Sequence, residues 1–298
     1  MKWLIKLCLC LPLLAQAQTL TVKVPSRPIN DLDSEYQLKL LELALDRAGQ
    51  PYKLERVDLN LNQFTLQQEL RKGKTINVFW MGTSSALESA LIPVPIPLFR
   101  GLEGLRLSFI HSDAQEKFNQ VNTLADLKQL KAAQGVGWAD NKILEQAGIA
   151  TYAGRYSNLF RLINDGDKLD FFPRGLVEIF AERRELAAQY PNLAIEQHLL
   201  IRYPFAEFFF VSPESPKLAK AIQTGLERAY ADGSFMTFFH ENPRIREALA
   251  SANLEQRVTI SLPNPDMTPL LRSIPAQYWD YPPSKGSNAA KHSPPQGR

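Results

Sequence analysis

The sequence is nearly devoid of cysteine, with only Cys8 and Cys10 among its 298 residues. Both lie in a first segment that is predicted below to be removed on export, so the remaining chain would carry no thiol. This excludes disulfide bonds, thiolate nucleophiles, cysteine-ligated zinc and iron–sulfur clusters. An exported domain without disulfides must be stabilised by its core alone, and this chain is long enough for that.

Metal and nucleotide motifs are missing as well. The four histidines are scattered, with no H-E-x-x-H motif and no pair spaced four residues apart. There is no G-x-x-x-x-G-K-[ST] and no strand-linked G-x-G-x-x-G, and the cluster of hydroxyl residues at 83–85 does not form G-x-S-x-G. We therefore expect no metal, no cofactor and no catalytic constellation.

A strong charge of either sign is also absent. The 34 Lys and Arg residues exceed the 31 Asp and Glu residues by three, and two of these three are Lys2 and Lys6 in the first segment. The rest of the chain therefore has an excess of only one positive charge. This near-neutral net charge gives no electrostatic reason to expect binding to nucleic acid or to an anionic membrane.

What is present begins with residues 1–17, which have the order of a secretory signal peptide. Lys2 and Lys6 precede the short apolar run 7–14, and A-Q-A follows at 15–17. The run is too short for a membrane anchor of ~20 residues. We predict cleavage after Ala17 and a periplasmic location. At the other end, residues 282–298 are polar and rich in Pro, Gly and Ser, which predicts a disordered tail.

Between these ends, strand and helix patterns alternate in two blocks. In the first block, strands are predicted at Leu20–Val24, Tyr52–Leu59 and Ile76–Met81, with helices between them. The second block includes a predicted strand at Gly135–Trp138. Such alternation favours an α/β fold with parallel sheets covered on both faces.

The two blocks are joined near residues 97–110 and 199–212, and the C-terminal helices need a sheet to cover. The expected organisation is a discontinuous first lobe, 18–101 with 205–270, and a second lobe, 102–204. Two lobes joined by two crossings form a hinge, and a cleft between lobes is a natural site for a small molecule.

Two short motifs carry a family resemblance. The sequence LADL at 124–127 stands before GVG at 135–137, and AYADGSF occupies 229–235. Together with the order of elements from Leu20 to Ala250, these segments resemble the periplasmic solute-binding proteins of the amino-acid type, family 3. The resemblance implies the type II two-lobed fold, each lobe a mixed, mostly parallel sheet flanked by helices. It also implies capture of a small polar ligand, amino-acid-like or acidic, by lobe closure for an ABC-type transporter.

The chain departs from the family pattern at both ends of the usual amino-acid clamp. Glu88 falls near the position where family members place an arginine for the ligand carboxylate. Arg174 or Gly175 falls where members place an acid for the ligand amino group. The standard clamp is therefore not expected here.

Arg174 is the main candidate ligand residue because it follows a strand and precedes a helix. Carboxyl ends of strands in α/β sheets face the ligand crevice, and a guanidinium offers a two-pronged fork for a carboxylate. A surface arginine is the alternative. Glu178, one turn later, is either its partner or, as we favour, an ordinary exposed acid.

Three further groups of candidates lie at strand ends or at the crossing. Trp80, Thr83 and Ser84 end the third strand, with helix capping as the alternative for the hydroxyls. Trp138, Asp140 and Tyr156 surround the turns of the second block, with capping as the simpler role of Asp140. Phe99 and Arg100 lie at the first crossing, where core packing is the alternative for Phe99.

Three functions compete on this sequence. The first is a periplasmic binding protein, a non-enzyme and a monomer, that works with an inner-membrane permease. The second is a sensory module of the same fold for a membrane partner. The third and least favoured is a dehydratase-like enzyme, for which Glu88 is the candidate carboxylate.

Overall fold

The structure is a computed structural model that describes residues 19–26, 34–59, 61 and 63–279. The predicted export signal 1–17 and the predicted tail 282–298 lie outside the described residues.

The predicted strand–helix alternation of the first block is confirmed, and each strand or helix differs from its predicted bounds by a few residues. The elements in chain order are β1 (Leu20–Pro25), α1 (Glu35–Ala48), β2 (Tyr52–Val57), α2 (Gln63–Lys72), β3 (Val78–Gly82), α3 (Ser85–Ala90) and β4 (Ile92–Val94). Helix α1 ends where Gly49 takes the left-handed conformation with φ 75°, which glycine adopts without steric cost.

The second block follows a single turn of 3-10 helix at Leu102–Gly104. Its elements are β5 (Leu105–His111), α4 (Gln115–Asn119), α5 (Leu124–Leu127), β6 (Lys131–Gly135), α6 (Asp140–Gln146), β7 (Ala150–Gly154), α7 (Tyr156–Asp165), β8 (Phe172–Gly175), α8 (Leu176–Leu186), β9 (Leu193–Ile195) and β10 (Leu199–Arg202).

The chain then returns through β11 (Glu207–Val211) and the long helix α9 (Pro216–Ala231). The remaining elements are α10 (Ser234–Glu241), α11 (Pro243–Ser251), β12 (Val258–Ser261) and α12 (Pro269–Ser273).

The sheets divide into two halves. In the first half, β1 pairs with β2 in parallel, and β11 runs antiparallel between β3 and β4. Asn77 joins the two sheets, because its amide exchanges hydrogen bonds with the backbone of Thr21 and Lys23. Helices α1 and α9 pack on this half so closely that a Cβ at Gly225 would overlap the carbonyl oxygen of Ala44.

In the second half, the strand order is β12-β10-β5-β8, and β9 also pairs with β5. Strand β6 pairs with β7 in parallel, and a parallel bridge between Ala132 and Phe171 connects this pair to the segment before β8. The expectation of mostly parallel sheets is wrong in this detail. The chain passes between the halves just before β5 and just before β11, and each of these strands runs antiparallel to the strands it pairs with.

The predicted strand Gly135–Trp138 is also wrong, because the strand ends at Gly135 and a turn follows. Gly137 has φ 82°, a conformation that does not continue a strand. The indole of Trp138 folds back over Gly135, where a Cβ would overlap the ring. The turn therefore brings Trp138 beside the strand end instead of extending the sheet.

The C-terminal part adds further connections between the two halves, beyond the two crossings. Strand β12 pairs with β10 of the second half, not with a first-half strand, and Arg244 on α11 donates to the carbonyl oxygen of Val177. The chain then returns: Asp266 accepts hydrogen bonds from Ser85 Oγ at 3.1 Å and Lys142 Nζ at 2.8 Å, which lie on opposite halves. No helix among the described residues is both long and apolar enough to cross a membrane.

Candidate functional site

A cleft lies between the two halves at the ends of their central strands. Its volume is about 560 Å³ when the open solvent at its mouth is included. The first half contributes the ends of β3 and β11 and the start of α1, and the second half contributes β5, the turn before α6, β8 and α8. The lining residues with charged or amide side chains are Gln37, Gln63, Glu103, Arg106, Asp140, Arg174, Glu178 and Glu207.

Arg174 lines this cleft, but its guanidinium is already held by carboxylates. Glu182 Oε1 and Oε2 accept from Arg174 Nε at 3.1 and 2.8 Å, and Oε1 accepts from Nη2 at 2.6 Å. Glu178 Oε2 lies 3.1 Å from Nη2. Arg174 was expected to offer its guanidinium to a ligand carboxylate. In the structure it forms an internal ion pair instead. Glu178 is a partner of Arg174 and not an exposed acid, with 13% of its side chain accessible.

Aromatic rings enclose the same guanidinium. The rings of Trp138, Tyr156 and Phe172 lie 4.7 to 5.3 Å from the Arg174 guanidinium carbon, within the range of cation–π attraction. The Tyr156 hydroxyl also donates to Glu182 Oε1 at 2.6 Å. Burial alone would lower the pKa of Arg174, but Glu178 and Glu182 outweigh it and raise that pKa. Arg174 is thus a charged core residue at the cleft wall.

Arg106 is the functional residue that sequence reasoning missed. It points inward from β5 with 4% of its side chain accessible, and its Nη2 lies 2.9 Å from Asp140 Oδ1. The Tyr203 hydroxyl donates to the same carboxylate, and the guanidinium lies over the Tyr203 and Phe205 rings. A charged residue inside the apolar strand LRLSFIH was the available signal. Asp140 consequently binds Arg106 and Tyr203, and no capping hydrogen bond from a side chain is seen at the start of α6.

Glu103 lies opposite Arg106 in the short 3-10 turn between the halves. Its Oε2 is 3.6 Å from Arg106 Nη1, and its carboxyl packs on Gly175, where any Cβ would collide with it. Burial raises the pKa of Glu103 well above its ordinary value, Glu178 raises it further, and Arg106 only partly offsets both. Burial opposes ionisation of Glu178 as well, yet Arg174 and Arg106 hold the pKa of that carboxyl below its ordinary value.

The structure brings four of the predicted site residues together at the cleft lining: Trp80, Trp138, Asp140 and Arg174. Tyr156 does not line the cleft; its ring lies against the Arg174 guanidinium and its hydroxyl donates to Glu182. The predicted site is thus partly assembled, on the side of the second half.

The hydroxyl residues after β3 do not line the cleft, and neither does Glu88. The Thr83 hydroxyl donates to Glu88 Oε1 at 2.7 Å, and Thr268 donates to the same oxygen at 2.9 Å. Ser84 caps α3 by accepting from the Leu87 N–H at 3.3 Å. These residues fix the start of α3, which was the alternative role considered for the hydroxyls.

Phe99 and Arg100 at the first crossing are core residues. Phe99 is 2% exposed and stacks on Tyr36, with ring centroids 4.4 Å apart. Arg100 Nη1 donates to the Tyr230 hydroxyl and to the carbonyl oxygen of Gln277. Arg100 thus fastens the hinge region to the C-terminal segment and Phe99 packs it against α1, and both lie away from the cleft lining. Within the described ranges, no group of three or more His, Cys, Asp and Glu residues could hold a metal ion.

No family model matches this sequence, and no curated protein matches it significantly. Solved structures do match. A Salmonella typhimurium periplasmic binding protein of high arginine specificity has TM-score 0.53 and 16% identity, covering 76% of this chain and 99% of its own. The chain has the two-lobed periplasmic binding protein fold. The first half described above is one lobe of this fold, and the second half is the other.

Two further matches to this fold show its range of uses. A histidine kinase sensor domain similar to periplasmic binding proteins has TM-score 0.54 and 15% identity, covering 76% of this chain and 96% of its own. An ancestral amino-acid-binding protein, a precursor of cyclohexadienyl dehydratase, has TM-score 0.52 and 12% identity, covering 75% and 94%. At these identities the periplasmic binding protein likeness establishes the fold, and the ligand must be argued from the cleft.

Proposed function

We propose that this chain is a periplasmic solute-binding protein that captures a small polar ligand in the cleft between its lobes. The observation that supports this most is the presence of buried polar atoms in the cleft without hydrogen-bond partners: Gln37 Oε1, Glu103 Oε1 and Arg106 Nε. Buried polar groups are nearly always paired, and leaving one unpaired costs about 1–3 kcal/mol. A polar ligand would satisfy all three.

Lobe closure is the proposed mechanism. Gln37 lies on α1 of the first lobe, and Arg106 lies on β5 of the second. A ligand that contacts both residues binds the closed arrangement better than an open one, and this differential affinity shifts the population. We propose the lobe boundaries 18–101 with 205–270, and 102–204, with the exception that Val258–Ser261 is assigned to the second lobe because it pairs with β10.

The proposed partner is the inner-membrane permease of an ABC-type transporter, and the protein is proposed to act as an exported monomer. The likeness to a histidine kinase sensor domain favours a second candidate, a sensory module for a membrane partner. Adjacent genes for a permease and an ATPase would support transport, whereas an adjacent kinase gene would support sensing.

Binding without chemistry is proposed over catalysis. The candidate dehydratase carboxylate, Glu88, lies outside the cleft lining and is held by the hydroxyls of Thr83 and Thr268. The matching ancestral protein that preceded a dehydratase is named as a binding protein. Incubation of the bound ligand with the protein, followed by mass spectrometry, should recover the ligand unchanged.

The test is native mass spectrometry of the full chain expressed with its leader and purified from the periplasm. We expect the mass of a chain that begins at Gln18, together with a bound small molecule that dissociates on collisional activation. A thermal-shift screen with equal numbers of cationic, anionic, zwitterionic and neutral solutes should then raise the melting temperature with at least one class. Failure of every class, together with an empty native spectrum, would refute a binding function.

A further inference from the structure

The three unpartnered atoms in the cleft belong to side chains that are almost completely buried. Gln37 is 2% exposed, Glu103 is 3% exposed and Arg106 is 4% exposed. Two of the atoms, Gln37 Oε1 and Glu103 Oε1, accept hydrogen bonds, and one, Arg106 Nε, donates. A ligand that satisfies these three atoms must therefore supply two hydrogen-bond donors and one acceptor.

The charges of the cleft point the same way. Four acidic side chains line it, those of Glu103, Asp140, Glu178 and Glu207, against the guanidiniums of Arg106 and Arg174. Behind the wall, Glu182 binds Arg174 through both of its carboxylate oxygens. A ligand carboxylate would meet a surplus of acid, because both lining arginines already face protein carboxylates.

Protein carboxyl groups lie beside the guanidinium of each arginine, which limits its ability to bind a ligand carboxylate. Arg174 spends Nε and Nη2 on Glu182 and Glu178. Arg106 has Nη2 on Asp140 at 2.9 Å and Nη1 between Glu103 and Glu178, at 3.6 and 4.0 Å. The buried N–H of Arg106 Nε has no partner, and a ligand carboxylate bound there would compete with Asp140, Glu103 and Glu178 for the same guanidinium.

We infer that the cleft recognises a small organic cation, whose protonated nitrogen donates to Glu103 Oε1 and Gln37 Oε1 and whose neutral oxygen accepts from Arg106 Nε. Amino alcohols and amino amides have this chemistry, and a carboxylate is not required. The inference rests on the proposed binding function and replaces the amino-acid-like or acidic ligand expected from the sequence. Burial favours the neutral form of Glu103 in the empty cleft, and a protonated ligand nitrogen beside it favours the ionised form. Glu103 thus becomes the counter-ion of the bound ligand, and Gln37 closes over it from the first lobe.

The experiment uses four probes on one five-carbon skeleton, titrated calorimetrically into the full exported chain. The probes are 5-amino-1-pentanol, 5-aminopentanoate, pentane-1,5-diol and glutarate. We expect 5-amino-1-pentanol to bind at least tenfold more tightly than each of the other three. Tighter binding of glutarate or 5-aminopentanoate, or no binding of the amino alcohol, overturns the inference.

Two variants assign the effect to the named atoms. Glu103→Gln keeps the shape and removes the charge, and Gln37→Met removes the acceptor; each should weaken binding of 5-amino-1-pentanol at least tenfold. Glu185→Gln, an exposed acid on α8, is the matched control and should bind as the parent does. Unchanged binding by Glu103→Gln refutes the assignment even if the cation binds.

The failure of this inference is distinguishable from failure of the binding function. An anionic or neutral endogenous ligand in the native mass spectrum would leave the solute-binding proposal standing and remove the cation. An empty cleft that binds no solute class would remove both.

Discussion

The Arg174–Glu182 pair allows a quantitative prediction about what holds the second lobe together. Both side chains are buried, with 2% and 0% accessible, and three hydrogen bonds of 2.6 to 3.1 Å join them. Removing one member of such a pair leaves an uncompensated buried charge and typically costs about 3–5 kcal/mol. We expect Arg174→Met and Glu182→Leu each to lower the free energy of unfolding by about this amount.

The double variant separates a pair from two independent contributions. With both charges replaced by apolar side chains of similar size, neither member of the pair is left without the other, and Glu178 keeps Arg106 as a neighbour at 4.0 Å. The double variant should therefore be more stable than either single variant. Some cost remains, since the cation–π contacts with Trp138 and Tyr156 are lost. Urea unfolding followed by circular dichroism measures all three free energies.

The matched control is an ion pair of similar length on the surface. Arg161 Nη1 and Asp165 Oδ2 are 2.8 Å apart on α7, with 57% and 39% of the side chains accessible. Asp165→Ala should change the free energy of unfolding by about 0.5 kcal/mol or less. The reasoning fails if Glu182→Leu costs no more than this control, or if the double variant costs the sum of the two single variants.

Three further predictions concern stability. Gly225→Ala should destabilise the first lobe by about 1–3 kcal/mol through overpacking against Ala44, whereas Lys220→Ala on the exposed face of α9 should have little effect on the urea midpoint. Burial favours the neutral form of Glu103, so this group stabilises the fold below its ordinary pKa of ~4.3 and loses that contribution as the pH rises. Glu103→Gln should therefore flatten the fall in urea midpoint between pH 4 and pH 8, and a parallel fall in both proteins would contradict this assignment. Thr123→Ala removes the hydroxyl that accepts from the Asp126 N–H at 3.2 Å and should cost about 1 kcal/mol, with a loss below 0.3 kcal/mol counting against the cap.

Most of the fold could be predicted because its signals are local. Hydrophobic periodicity locates most of the helices, and Thr123 and Asp126, residue types that favour helix starts, form a capping box at α5. The strand after it was placed too late because K-A-A-Q-G has few strand-forming residues, whereas V-G-W has more. Only the packing of Trp138 over Gly135 reveals the turn.

The site was harder to predict because its decisive contacts join residues far apart in the chain. Arg174 lines the cleft as expected, although it lies inside β8 and not after a strand. The hydrogen bonds between Arg174 and Glu182 depend on where α8 places Glu182, which comes eight positions later in the chain. Arg106 was missed because the sequence does not show that a charged residue in an apolar strand points into a cleft, and its partner Asp140 comes from another element. Glu103 lies in a short turn, where an acidic residue is ordinarily exposed.

The C-terminal return has a consequence for rates. The C-terminal part adds contacts to both lobes beyond the two hinge crossings. Elements α11 and β12 contact the second lobe, the Gln277 carbonyl oxygen accepts from Arg100, and Asp266 accepts hydrogen bonds from both lobes. Opening must bend or release these extra passages together. Association that requires such a conformational change is slower than association that does not. A ligand admitted to this cleft should therefore exchange slowly and have a long residence time.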